Sequence, residues 1–277
     1  MSAVSPRVDP LHLASEARVL ISRASEVRQL FGVPIHAATT AQTIELCDNA
    51  IRAHDRLVIG VVNAAKIVRM QKQTSLREAV LRADIVLADG MSVVWASRLL
   101  GQPLPERIAG IDLFYSLLEL ANRQRYAVYL LGAEQNVLDI VMKRVRESYP
   151  NARIVGSQNG YFDEDDAASI ADDIRRSRAD ILFVAITSPK KELFLEAYGD
   201  KLGVPVCHGV GGTFDIMAGK VKRAPLVWQK TGLEWLYRTF QEPRRLWKRY
   251  LLTNSVFIWM VLRELVRKRR KTVPDVS

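Results

Sequence analysis

The sequence predicts an α/β fold, a parallel sheet with crossover helices followed by a helical, basic C-terminal appendage. Three observations carry this. Short apolar runs rich in β-branched residues alternate with stretches of helical periodicity. Each run ends in Gly, Asp, Asn or Ser-Pro, residues that turn a chain out of a strand. Beyond about Leu226 the strand rhythm stops and the charge balance changes.

In chain order, residues 1–30 show neither pattern clearly and read as a helical or partly ordered extension. The strands are RLVIGVV (56–62), ADIVLAD (83–89), YAVYLLG (126–132), ARIVGSQ (152–158), ADILFVAI (179–186) and VPVCHGV (204–210). A helix is expected from Ser92. Residues 136–149 place Val137, Ile140, Val141, Val145 and Tyr149 at helical spacing, and 166–176 opens with acids, which favour a helix N-terminus. Pro243 should divide the tail into helices over 231–241 and about 244–270. The expected organisation is a 1–30 extension, a 31–225 body and a 226–277 appendage.

The chain of 277 residues is 48% hydrophobic and 25% charged, ordinary globular usage that allows a sizeable core. Its net charge of +10 sits at one end. Residues 220–277 hold 15 Lys and Arg against 4 acids, while the remainder holds 25 against 26. In the last helix Leu246, Trp247, Tyr250, Leu251, Phe257, Trp259 and Leu262 mix with Arg244, Arg245, Lys248, Arg249, Arg263, Arg267 and Lys268. Trp rings at headgroup level and cations on anionic lipid are what an in-plane membrane helix uses. The alternative is a helix packed on the body with a solvated basic face. The strongly apolar stretch 256–262 is far shorter than the ~20 residues a spanning helix needs. Charged residues interrupt the N-terminal apolar positions, so no secretory signal is expected. Cys47 and Cys207 stand far apart without CxxC spacing, which argues against a disulfide framework or a thiolate metal site. The expectation is a cytoplasmic protein, peripheral on the inner face of the plasma membrane. Basic helices also bind nucleic-acid backbones, but bulky apolar residues around 256–262 suit lipid or self-association better, so a homo-oligomer is allowed and no nucleic-acid partner is expected.

Asp89, beside Gly90 at a strand end, is positioned to reach a ligand and act as a general base; an Asx-turn or N-cap before the Ser92 helix explains the same spacing. Asn63 after the first strand has the same two readings. GVGGTF (209–214) and YLLGAEQN (129–136) lack the three glycines of a dinucleotide fingerprint, so a nucleotide-dependent oxidoreductase is disfavoured and no cofactor is expected. The acids at 163–166 suit a helix start better than a metal site, and the histidines lack ligand spacing, so no metal is expected.

Taken together, Asn63, LADGMSVVWAS (87–97), RIAGIDL (107–113), YLLGAEQN (129–136), YPNARIVGSQNGYF (149–162), SPKKE (188–192), GVGGTFDIMAG (209–219), RAP (223–225), and GLEWLYR followed by EPRRLWKRYL resemble the WecG/TagA/CpsF family of bacterial glycosyltransferases over roughly residues 31–252. The resemblance implies a Rossmann-like body with a helical appendage. It implies inverting, metal-independent transfer of a sugar from a nucleotide donor, commonly UDP-linked, to a sugar on a membrane polyprenyl diphosphate, in cell-surface or exopolysaccharide assembly. On it, Asp89 is the base, and Arg107, Arg238, Arg245, Lys248 and Arg249 stabilise the diphosphate. Asn63 holds a sugar, and Tyr161, Lys191, Glu192, Gly211 and Asp215 line the donor side. The chain departs from the pattern twice: Val61 stands where many relatives carry the Thr of Thr-x-Asn, and Lys191 where they carry the Gln of Pro-Lys-Gln-Glu. The reaction class follows from the resemblance; the identity of the sugar does not.

Overall fold

The computed structural model describes residues 26–272, and of Arg245, Leu246, Arg249 and 269–272 the backbone alone. The chain opens with a hairpin of β1 (Val27–Leu30) and β2 (Val33–His36). Residues 27–30 are therefore strand, which corrects the expected 1–30 extension; residues 1–25 lie outside the described ones. The hairpin turns on Phe31 and Gly32, both at positive φ (56° and 70°), the primed-turn geometry that matches strand twist. Phe at the first position hid it, because Asn-Gly or Asp-Gly is the usual signature. The alternation that buries Leu30, Val33 and Ile35 holds it down.

Then follow α1 (Thr40–Ala53), β3 (Leu57–Val62), α2 (Ala64–Met70), α3 (Thr74–Leu81), β4 (Ile85–Ala88), α4 (Met91–Leu99), α5 (Gly110–Gln124), β5 (Ala127–Gly132), α6 (Gln135–Ser148), β6 (Arg153–Gln158), α7 (Ala167–Ser177), β7 (Ile181–Ala185), α8 (Lys190–Tyr198), β8 (Val206–Gly209), α9 (Thr213–Met217), α10 (Leu226–Lys230), α11 (Glu234–Gln241) and α12 (Pro243–Thr272). Strands β3 to β8 form one sheet in the order β4-β3-β8-β7-β5-β6, every pairing parallel. The six runs read from the sequence are these six strands.

Strands buried on both faces read as continuous apolar runs because successive side chains enter different cores. Leu57, Ile59, Ile85, Leu87, Val128, Leu130, Ile181 and Phe183 pack with α1, α5 and α6. Val58, Tyr129, Leu131, Leu182 and Val184 pack with α7 and α8, and Val62, Val86 and Ala88 with α2, α3 and α4. At Gly132, φ is +131° and an added Cβ would lie 2.4 Å from the Ala185 carbonyl oxygen, so β5 and β7 approach there as only glycine permits.

The tail differs from expectation in its breaks. Two short helices, α10 and α11, are separated by Gly232 at φ +64°, where one helix over 231–241 was expected. Pro243 divides the tail as expected and itself starts α12; the missing N–H is harmless in a first turn. Phe257 and Val261 of α12 are buried in the same core as Val68 and Met70 of α2, and the Phe257 ring lies 5.2 Å from that of Phe31. Lys268 Nζ donates to Leu100 O at 2.7 Å. Trp247, Leu251, Ile258, Trp259, Leu262 and Val266 remain exposed. At 100° per residue they fall within an arc of about 120° on α12, next to the face that carries Phe257 and Val261.

Candidate active site

Asn63, Asp89, Tyr161, Lys191, Glu192, Gly211 and Asp215 lie just beyond the carboxyl ends of β3, β4, β6, β7 and β8, where open α/β sheets bind ligands. Asp89 follows β4. It is not an N-cap: α4 is preceded by Gly90 and has no side-chain cap. Asp89 Oδ1 instead accepts from the Gly110 N–H at 3.1 Å, the first residue of α5. The other side of Gly110 is held too, since His208 Nε2 lies 3.0 Å from Gly110 O. A carbonyl only accepts, so His208 carries its proton on Nε2. Burial pushes His208 down to about 4, against the help of the Gly110 carbonyl, so it is neutral at physiological pH.

Asn63 follows β3 and caps α2, its Oδ1 accepting from Lys66 N at 3.0 Å. The turn-forming reading of Asn63 is thus realised, and its amide NH₂ is the group left to meet a ligand. Gly90 lets the two loops approach: a Cβ there would stand 3.4 Å from Asn63 Cβ.

Lys191 and Glu192 open α8 and are both buried. Lys191 Nζ donates to Gly209 O at 3.3 Å and lies 3.4 Å from where a Gly211 Cβ would stand. Gly211 has φ +57°, which turns the chain after β8. Burial, then the Lys66 charge, push the Lys191 ammonium down to about 8, while Glu192 and Asp89 pull the other way. For Glu192 burial acts upward, but Lys66 and Lys191 outweigh it and hold the carboxyl below its usual range. The ion pair is close, with Lys66 Nζ 2.7 Å from Glu192 Oε1. Lys66 was missed by sequence reasoning: one lysine in VNAAKIVRM has the spacing of a solvated helix face.

Arg107 is mostly buried between two carboxylates, 3.3 Å from Asp112 and 3.1 Å from Glu234, and also donates to Gln229 Oε1 at 3.4 Å. Arg223 pairs with Asp112 from the other side. This network fastens α10 and α11 to the first turn of α5, next to Gly110. Arg223, Asp112 and Glu234 lie in the motif segments RAP, RIAGIDL and GLEWLYR, but nothing in the sequence pairs them, because their meeting is tertiary. Arg238 lies one turn beyond Glu234 on the same side of α11. Lys248 is exposed on α12 and stands over the Trp247 ring at 5.6 Å. The side chains of Arg245 and Arg249 lie outside the described residues.

Tyr161 follows β6 and is 74% exposed, so its ring is not part of the core. Asp215, in the first turn of α9, is partly exposed, and its backbone carbonyl accepts from the Lys220 and Val221 N–H groups. Lys220 bonds Glu134 after β5 at 2.8 Å, so the loops after β5 and β8 meet. Among the described residues no three His, Cys, Asp or Glu side chains converge on a metal position.

A carboxylate that can take a proton and a buried ammonium that can meet an anion are the kinds of group that a group-transfer reaction uses. The chain belongs to the glycosyl transferase WecG/TagA/CpsF family, which it matches over residues 28–271. It is a glycosyltransferase. A Bacillus spizizenii protein named N-acetylglucosaminyldiphosphoundecaprenol N-acetyl-beta-D-mannosaminyltransferase is 42% identical over 175 residues, 63% of this chain and 67% of the relative. A Bacillus subtilis protein of the same name is 36% identical over 215 residues, 78% of this chain and 82% of the relative.

Proposed function

We propose that this enzyme moves a sugar from a nucleotide donor, UDP-linked, to a sugar carried on a membrane polyprenyl diphosphate, with inversion and without a metal, in cell-envelope polysaccharide assembly. The relatives' names supply the acceptor class; the observation that carries the mechanism is Asp89 at the strand edge, fixed by Gly110 N–H and near Lys191. Asp89 takes the proton of the acceptor hydroxyl. The freed oxygen attacks the anomeric carbon from the face opposite the nucleotide, a new C–O bond forms, and the anomeric C–O bond to phosphate breaks with its electrons going to the leaving diphosphate. Lys191 and the arginines of α11 and α12 meet that developing charge. Asn63 holds a sugar, and Tyr161, Glu192, Gly211 and Asp215 line the donor side. Arg107 shapes the crevice while Asp112 and Glu234 neutralise it, and reaches the diphosphate only by exchanging one of these partners.

Among the described residues no helix is long and apolar enough to cross a membrane. The exposed stripe of α12, flanked by Arg263 and Arg267, supports an in-plane seat on anionic lipid at the cytoplasmic face. Asp89→Asn tests the chemistry. The amide oxygen still accepts from Gly110 N–H, so the melting temperature should stay near wild type while turnover falls about 100-fold or more. Wild-type turnover in a folded Asp89→Asn protein would place the base elsewhere.

A further inference from the structure

Two lysines stand beside one buried carboxylate. Lys66 Nζ lies 2.7 Å from Glu192 Oε1 and 2.7 Å from Val61 O. Lys191 Nζ lies 3.8 Å from the same Glu192 oxygen, too far for a hydrogen bond, and 3.3 Å from Gly209 O. Attraction grows as distance shortens, and only the nearer ammonium adds a charge-assisted hydrogen bond, so Glu192 is claimed by Lys66. Lys191 is thereby left at the 209–211 turn. A cleft of about 200 Å³ over β3 is lined by all three side chains at one end and by Arg56 at the other.

We propose that Lys66 is a positioning residue of the transfer reaction: by taking the hydrogen-bonded place on Glu192 it leaves Lys191 the looser, 3.8 Å partner of that carboxylate and directed at the donor phosphates. The proposal rests on the reading of the 209–211 turn as the donor side. Without the Lys66 charge, Glu192 would be a buried carboxylate whose nearest cation is Lys191, and a change of rotamer would close that pair and draw Lys191 from the turn.

The groups facing Lys191 are Lys66 on α2, Glu192 on its own helix, Asp89 beyond β4 and neutral His208 on β8. Removing the Lys66 charge and removing the Glu192 charge therefore act on Lys191 with opposite signs. The test uses the full chain with ¹³C,¹⁵N-labelled lysine and no substrate, the Lys191 Cε signal being assigned by its loss in Lys191→Met. In Lys66→Met its titration midpoint should rise by about one unit or more, and in Glu192→Gln it should fall. An unchanged or lowered midpoint in Lys66→Met overturns the proposal. If Lys66→Met does not fold, Glu192→Gln carries the test, and a midpoint that fails to fall overturns it equally. Turnover then separates the two readings. Lys66→Met should lower kcat about 10-fold or more with KM for the acceptor unchanged, and Lys66→Arg should recover part of it. Impaired Lys191→Met with wild-type kcat in Lys66→Met sinks the role of Lys66 alone; wild-type kcat in Lys191→Met sinks the donor-side reading beneath it.

Discussion

His208 should make this fold sensitive to mild acid. It is fully buried, and its Nε2 meets the Gly110 carbonyl whose own N–H serves Asp89. Burial moves it from 6.5 in the free state to about 4. A depressed folded value means that the unfolded chain binds the proton more readily, so the contribution is complete above pH 6.5 and is lost as pH falls toward 4. At ~1.4 kcal/mol per pH unit the loss is about 3 kcal/mol, and for a chain of this size that corresponds to roughly 6–12 °C in melting temperature. His208→Gln keeps a donor for Gly110 O and removes the titration. Thermal unfolding of both proteins between pH 7.5 and 4 is the assay, and the quantity read is the difference between their slopes. His36, which burial also pushes down while Val86 N–H bonds its Nδ1, acts in the same direction in both proteins and cancels. Wild type should lose several degrees more than the variant across this window. Parallel pH profiles would mean that His208 does not remain neutral inside the fold, and the link through Gly110 to Asp89 would fall with it.

Replacing two exposed residues of the α12 stripe, Leu251→Glu with Leu262→Glu, should leave the body folded but weaken cosedimentation with anionic liposomes about 100-fold or more, since each buried leucine contributes ~2 kcal/mol; unchanged sedimentation returns α12 to a solvated helix. Charge reversal at Arg245 and Lys248 together should also abolish transfer to a short water-soluble acceptor if those side chains meet the diphosphate, and should spare it if they only hold lipid. Turnover should persist in EDTA, and its loss on chelation with recovery in Mg²⁺ or Mn²⁺ would replace the cationic side chains with a metal as the partner of the leaving group.

What could be read from the sequence follows from where the information lies. Strands β3, β4, β5 and β7 were legible because strands buried on both faces are apolar throughout, and β6, partly exposed at the sheet edge, by its short apolar run and turn residues. The β1–β2 hairpin was not, because its turn uses Phe31 at positive φ. Asp89 and Asn63 were legible as strand-end polar residues, but which turn chemistry each performs was not: Asn63 caps its own helix, while Asp89 bonds an amide 21 residues away. Arg107, Asp112 and Glu234 all lay in recognised motifs, but the pairing of Arg107 with Glu234, 127 residues distant, could not be read. The Lys66 to Glu192 bond spans 126 residues and leaves no local trace at either end.

Helix α2 connects the two ends of the proposed chemistry. Its N-terminus is capped by Asn63 and its first turn carries Lys66, while Val68 and Met70 share a close-packed core with Phe257 and Val261 of α12. A helix of 7 residues is about 10 Å long, too short and too tightly hydrogen-bonded to tilt at one end without moving the other. The appendage differs from the body in charge, but packing runs across that compositional boundary. Removing α12 outright would therefore uncover Val68 and Met70 and loosen the seat of Lys66 along with any grip on lipid. Surface substitutions on the exposed stripe leave that core intact, so they can separate loss of membrane contact from loss of the Lys66 to Glu192 pair, which a truncation cannot.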